Sequence, residues 1–576
     1  MRLGRFIHRR GQCRVALCVL ALAVTPAMAQ PASMVDGSQQ ELRQRERERA
    51  LRSQQEAAPN VRLQRPVQAG DERLPEHESP CFRIDRILLE GDAAERFQWA
   101  VKAANPANDR ATGRCLGSEG ISLTMKRVQN AIVARGYVTT RVLAPSQDLT
   151  QGTLTLAVIP GRVRRIRFSE GRGRRGTKWN AVPARPGDIL NVRDIEQALE
   201  NFQRVPTVDA DIQITPAEGP DAKPGDSDLV IKWKQDFPFR ITLSADDAGS
   251  KYTGKCQGSV TLSYDNWWTL NDLFYVNLNH DLGRGYGDGK GTRGYTVHYE
   301  VPYDYWLLGF TISGYNYRQS VAGGNWTYVF SGSSENSELR LSRLFYRDAV
   351  RKASAYVAAW SRNSRNYIDD TEIEVQRRRM AGWAVGLAHR EFIGAATLDA
   401  DVAYRRGTGM LSARAAPEEA FGEGTSRSAV ITAQGQLNIP IAVSKQRFRY
   451  LVAWRAQWNR TSLVPQDRFQ IGGRYTVRGF DGETTLLGER GWLVRNELGW
   501  TFGNTGQELY LGVDYSQVRG PSTQELVGTH LAGAVIGLRG AYKRLYWDAF
   551  AGRPISKPDG FQTASTTAGF NISWTY

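Results

Sequence analysis

The chain has 576 residues, a formal net charge of +16 and a mean hydropathy of −0.45. This length exceeds what one hydrophobic core organises and asks for several domains. Beyond the N-terminus no apolar run reaches the ~20 residues of a spanning helix; this excludes a multi-span helical membrane protein but not a barrel, whose strands alternate apolar and polar residues.

The first residues read as an address. Arg2, Arg5, Arg9, Arg10 and Arg14 precede the short apolar run Val15 to Val24, and Ala27-Met28-Ala29 precedes Gln30. That order predicts a cleaved secretory leader over 1–29. Removing its five arginines leaves a charge of about +11. A basic chain can mean nucleic acid, but an export signal and the lack of dense basic blocks, beyond runs such as Arg377-Arg378-Arg379, argue against it. Positive loops beside anionic lipopolysaccharide, or a polar lumen, explain the charge.

Cys13 and Cys18 fall in the leader. Cys81 and Cys115 fall in one small predicted domain, and an oxidising compartment predicts a disulfide between them, with Cys256 left unpaired. Residues 30–56 contain Gln39 to Gln55, rich in helix formers and interleaved charge but without a core face. The Pro-bearing stretch 57–80 reads as a linker.

Two similar modules follow, at 81–160 and 161–236. In the first, Phe82 to Gly91 reads as a strand and Thr124 to Arg135 as a helix with Met125, Val128, Ile132 and Val133 on one side; Tyr137 to Val142 and Gly152 to Val158 read as strands. In the second, Arg164 to Phe168 precedes a helix, Asn191 to Arg204, with Ile195, Leu199 and Phe202 inward and Asp194, Glu196 and Glu200 exposed. Ala210 to Ile214 and Asp228 to Trp233 close it as strands.

From 237 to 576 roughly sixteen strand-like segments follow. Leu509, Leu511, Val513 and Tyr515 alternate with Glu508, Tyr510, Gly512 and Asp514; Ala568, Phe570, Ile572, Trp574 and Tyr576 alternate with polar residues and glycine. One face suits lipid and the other a wet lumen. Aromatics gather near segment ends, as at Trp267-Trp268 and Tyr305-Trp306. Short connections (Asp265 to Asn271, Val301 to Tyr305, Thr501 to Gln507) alternate with long ones (Val321 to Ser334, Gly407 to Ser426, Arg460 to Glu489). The fold class predicted is a membrane β-barrel of about sixteen antiparallel strands behind α+β modules.

Specific stretches carry a family resemblance. Gly187 to Glu200 looks like a helix entry of a second POTRA (polypeptide-transport-associated) domain. Asp246-Asp247-Ala248-Gly249 with Thr253-Gly254 looks like a first barrel hairpin, and Phe469 to Phe480 like a long sixth loop with the core Val477-Arg478-Gly479-Phe480. In this order they resemble the two-partner secretion transporters, the TpsB proteins of the ShlB/FhaC/HecB family, related to the barrel-assembly protein BamA. The resemblance implies an N-terminal plug helix, two periplasmic POTRA domains and an outer-membrane barrel that exports an unfolded partner polypeptide, an adhesin, a haemolysin or a contact-dependent inhibition toxin, without nucleotide hydrolysis. It also implies that Arg478 pairs with a barrel-wall acid. Asp514, whose alternation turns it inward, is the matching position, and Glu497 is the runner-up. Arg grips a carboxylate with two parallel hydrogen bonds, as Lys does not.

No phosphate loop, nucleophile elbow or metal-spaced His pair occurs, so no catalytic residue, metal or cofactor is expected. The partners expected are the exported polypeptide and outer-membrane lipid and lipopolysaccharide, not nucleic acid. A BamA-like insertase is the alternative, although two modules are fewer than its array, and a porin-like channel has no use for them.

Overall fold

The computed structural model describes residues 37–56, 59–63, 72–169, 175–283, 289–322, 326–503 and 505–576. The leader expected at 1–29 lies outside them. Helix α1 spans Gly37–Gln55.

The two modules share one topology. In the first, Thr153–Ile159 is the middle strand, parallel to Arg86–Gly91 and antiparallel to Arg141–Leu143. In the second, Asp226–Gln235 is central, parallel to Arg162–Phe168 and antiparallel to Val208–Pro216. Each sheet is backed by one long helix, α2 (Ser118–Ala134) or α3 (Val192–Gln203). The first core gathers Phe97, Leu116, Val128, Ile132, Leu154 and Leu156; the second gathers Ile195, Leu199, Phe202, Leu229, Ile231 and Trp233.

Three local expectations need correction. Phe82 to Gly91 is two strands. Phe82–Ile84 pairs with Arg114–Leu116, and the chain then changes partner at Asp85, whose N–H donates to the Gly152 carbonyl at 2.7 Å. Helix α2 starts at Ser118 rather than Thr124. Its first N–H groups need acceptors, and the Glu78 carboxylate, from the linker, accepts from Gly117, Glu119 and Gly120. No residue beside the helix advertises that cap. Thr124, Val128 and Ile132 are buried on its inner face, while Met125 and Val133 are half-buried.

Sixteen long antiparallel strands close into a barrel, from Phe239–Asp246 to Thr567–Thr575, which pair with each other from Asp246↔Asn571 to Thr242↔Thr575. Alternation holds on the thirteenth strand, Glu508–Arg519: Leu511, Val513 and Tyr515 are exposed outward, while Tyr510, Asp514 and Ser516 are buried inside. The long connection expected over Val321 to Ser334 is instead a tall hairpin. Trp306–Ala322 and Thr327–Arg347 stay paired up to Ala322↔Thr327, because Tyr328, Val329 and Phe330 are strong strand formers that extend the ladder. Gly407 to Ser426 carries short 3₁₀ turns. Cys81 and Cys115 are joined by a disulfide with Cα atoms 5.3 Å apart. Cys256 is also disulfide-bonded, contrary to the expectation of a free thiol.

Candidate functional site: a loop and a helix held inside the barrel

The connection between barrel strands eleven (Gln446–Asn459) and twelve (Arg490–Thr501) turns back into the lumen. Phe469–Ile471 and Leu486–Gly488 form a small antiparallel ribbon within it. Ile471, Val477, Phe480 and Leu486 pack against Val518, Leu531 and Phe561, the Phe480 and Phe561 rings meeting nearly edge-on at 5.8 Å. This apolar knot anchors the loop, since each fully buried side chain contributes about 1.5–3 kcal/mol. Gly479 has φ +100°, and a Cβ there would stand 2.5 Å from the Arg553 carbonyl oxygen. Glycine is therefore required where the loop crosses the wall.

Arg478 follows Val477 into a wall of acids. Its Nε donates to Asp514 Oδ2 at 2.8 Å and its Nη2 to Asp514 Oδ1 at 2.8 Å, a bidentate fork, while its backbone N–H donates to Oδ2 at 2.9 Å. Its Nη1 donates to Glu497 Oε2 at 2.5 Å. The preferred acid and the runner-up are thus both engaged by one guanidinium. All three groups are buried, and Asp514 has no exposed surface. Two wall glycines make room: a Cβ at Gly512 would stand 2.5 Å from Arg478 Nη2, and one at Gly533 would stand 1.9 Å from the Arg478 carbonyl oxygen.

The charge network extends past the motif. Glu497 also binds Arg539 and, at 3.2 Å, Arg449; these two arginines share Glu508 at 2.8 and 2.7 Å. Arg449, Arg539 and Glu508 belong to no motif that marks them in the sequence. Their inward alternation was the available signal, but alternation does not say which charges meet. Asp467, in the same loop, was also missed: Arg362 binds it at 2.8 Å, with Arg45 at 3.7 Å and Arg405 at 3.9 Å.

Helix α1 crosses the lumen among these charges. Arg47 pairs with Asp246 of the first strand at 2.5 Å, Ser313 donates to Glu48 at 2.9 Å, and Arg52 reaches Glu338 at 3.2 Å. From the opposite wall Arg455 binds Glu46 at 2.8 Å. Leu42 is the one large apolar side chain that the helix buries, with Leu51 half-buried, so polar contacts dominate its hold. Among the described residues no three His, Cys, Asp or Glu side chains gather to hold a metal ion.

Residues 225–540 match the haemolysin secretion/activation proteins ShlB/FhaC/HecB, residues 82–161 a ShlB-type POTRA domain and residues 162–216 a POTRA domain. The chain belongs to the ShlB/FhaC/HecB family. It is 38% identical to the outer membrane transporter CdiB-2 of Burkholderia pseudomallei and 26% identical to the CdiB of Dickeya dadantii, covering 96% of this chain and of each relative. The solved structure of CdiB from Acinetobacter baumannii superposes with a TM-score of 0.82 at 30% identity, over 94% of this chain and all of that one. This member of the ShlB/FhaC/HecB family is a two-partner secretion transporter, with its barrel in the outer membrane and its POTRA domains in the periplasm.

The second POTRA domain of this family member docks on the barrel's periplasmic turns. The expectation that Glu196 and Glu200 are exposed is wrong: they are 1% and 7% exposed. Arg347, at the end of the sixth barrel strand, binds Glu196 at 3.1 Å and Glu200 at 2.9 Å, and Lys352 binds Glu200. The linker lies in the same joint: the Val61 and Leu63 N–H groups donate to Glu200 and Glu196 at 2.9 and 3.0 Å, and Arg347 donates to the Val61 carbonyl at 2.9 Å. Burial alone would raise the Glu200 pKa, but the hydrogen bonds and charges of Arg347 and Lys352 hold it below the usual carboxylate range. Asp194, accepting from the Tyr305 hydroxyl, is raised by burial.

Proposed function

We propose that this transporter exports a contact-dependent inhibition toxin, captured unfolded by the POTRA domains and threaded through the lumen after α1 and the Arg460 to Glu489 loop yield. Similarity to CdiB transporters along the whole chain supports this client class over a haemolysin or an adhesin. The observation that carries the gating is the polar character of the α1 contacts: ion pairs and hydrogen bonds in a wet lumen exchange with water at little net cost, whereas a packed apolar plug would not.

Capture uses sheet edges. Val208–Pro216 and Arg141–Leu143 are edge strands of their sheets, and an extended client adds to such an edge by backbone hydrogen bonds. Folding of the client outside the cell drives its passage, so no nucleotide is consumed and no residue is assigned a catalytic role. Arg478, with Asp514 and Glu497, locks the loop to the wall in the resting state; Val477, Gly479 and Phe480 set its geometry. The Cys81–Cys115 bridge contributes about 3 kcal/mol to the small first domain. Lipid and lipopolysaccharide cover the outer wall.

A photo-crosslinker at Gln213, on the Val208–Pro216 edge, tests the reading in cells. It should capture the secreted product of a neighbouring toxin gene. Capture of unassembled barrel proteins instead would make the chain a BamA-like insertase. Removing residues 37–56 should raise single-channel conductance while export persists; unchanged conductance would remove α1 from the gate.

A further inference from the structure

We infer that the extracellular rim of barrel strands four to eight carries a binding site for the phosphate of an outer-leaflet glycolipid, formed on the outside wall by Arg365, Arg379 and Arg414. The inference deepens the reading that lipopolysaccharide covers this wall, and rests on it.

Alternation fixes which way these side chains point. On the seventh strand, Arg351–Ile368, Arg362, Ser364 and Asn366 are buried toward the lumen, so Asn363 and Arg365, both exposed, face outward together with Val357. On the eighth, Arg378–Ile393, exposed Arg379 shares the outward face of Trp383, Val385 and Leu387. The register aligns them: Ser333 pairs with Arg365, Glu335 with Asn363, and Asn363 with Arg379. Arg414 joins from the next loop, its N–H donating to the Arg379 carbonyl at 2.8 Å.

Height places them at the headgroups. Trp306, Leu308, Phe310, Leu339, Leu341 and Val357 form the exposed apolar band nearer the periplasm. Arg365 lies eight residues beyond Val357, about 20 Å higher at ~3.3 Å per residue on a tilted strand. An outward arginine is costly at the bilayer midplane but is tolerated at the interface. The POTRA domains lie at the other end, so this rim is the cell-surface one.

The cluster forms a site rather than scattered charge. Arg365, Arg379 and Arg414, with Tyr295, Asn316 and Glu335, line one cavity of about 580 Å³. Arg377 is bound to Glu372 at 2.5 Å and Arg378 to Glu418. Arg365, Arg379 and Arg414 form no ion pair among the described residues, and Glu335 is the one acid lining the cavity. Three guanidinium groups around one cavity, beside amide donors, match a phosphate oxygen set. A lipid supplies that phosphate with acyl chains that lie on the apolar band below it; a free phosphate has no use for the band.

The test uses the full chain in phospholipid nanodiscs, with native mass spectrometry counting bound lipid A. The wild type should bind bis-phosphorylated lipid A about tenfold more tightly than R365Q/R379Q/R414Q, a loss expected from removing charge-assisted phosphate bonds. It should bind dephosphorylated lipid A no better than that variant does. Glu335→Gln, which removes the opposing charge without disturbing the arginines, should bind more tightly than the wild type, and serves if the triple variant does not fold. Equal binding by wild type and triple variant, or no gain in Glu335→Gln, would overturn the site. Full displacement by millimolar inorganic phosphate would overturn the lipid as its source. A folded wild type that retains no lipid A at all would overturn both the site and the reading of lipopolysaccharide as the wall's neighbour.

Discussion

Arg478 and Arg347 use the same chemistry in two regions of the molecule. Each is an arginine whose buried side chain spans two carboxylates: Asp514 and Glu497 inside the barrel, Glu196 and Glu200 at the periplasmic joint. Each also bonds backbone, Arg478 through Nη2 to the Asn496 carbonyl at 3.3 Å and Arg347 to the Val61 carbonyl. The difference lies in what is joined. Arg478 ties a loop to a wall that is already closed by strand pairing. Arg347 ties a separately folded domain and a linker to the barrel, beside other contacts such as Arg185 with Asp304 and Arg204 with Glu300, both at 2.9 Å. A buried charge that loses its partner costs about 3–5 kcal/mol wherever it lies. The consequence depends on the cations that remain beside the acids: Glu200 keeps Lys352 in direct contact, whereas Asp514 keeps the more distant Arg495, 3.7 Å away.

The largest effect is therefore expected at Arg478. Arg478→Ala should reduce surface delivery of the client to background while the barrel keeps its heat-modifiable mobility on gels, because Asp514 and Glu497 are left buried with less counter-charge. Normal secretion by this variant would end the claim that the pairing matters. Arg347→Ala comes next: amide exchange in α3 and in residues 59–63 should accelerate markedly, and export should fall several-fold without vanishing. If exchange in α3 is unchanged, the joint does not depend on this arginine and the comparison fails.

Replacement by lysine sharpens the contrast. Lysine is a point charge and cannot span two acids as a planar fork does. Arg478→Lys should recover only part of the export lost in Arg478→Ala. Arg347→Lys should be milder, because Lys352 already supplies a second cation to Glu200.

The smallest effect is a pH dependence confined to the periplasmic joint. The Glu200 pKa is lowered when docked, so its contribution to docking is fully present above the ordinary carboxylate value of about 4.3 and is lost as pH falls through the docked value. Asp194 is shifted the other way and contributes in the opposite sense, which flattens the profile. Protection of the α3 amides, relative to their intrinsic exchange rates, should fall on acidification below that range, and Glu200→Gln should abolish the acid-dependent part of the fall. An acid response that persists unchanged in Glu200→Gln would assign it to another group.

The sequence by itself determined the architecture of this protein and the chemistry of one buried ion pair, Arg478 with Asp514. Alternation with period two, short and long connections in turn, two repeats of strand and helix, and the Val477-Arg478-Gly479-Phe480 core are local signals, readable wherever a few neighbouring residues decide the outcome. The inward placement of Asp514 and Glu497 follows from the same period. Tertiary structure decided which faces are covered. Glu196 and Glu200 look like the solvent side of an amphipathic helix, and only the arrival of Arg347, about 150 positions later, with Lys352 beside it, buries them. Glu78 sets where α2 begins from about 40 residues away. Arg365 and Arg379 lie on successive strands and become neighbours on the outer wall only through strand register. In each case the deciding partner is distant in the chain, so the free energy that selects the arrangement has no local trace in the residues it acts on.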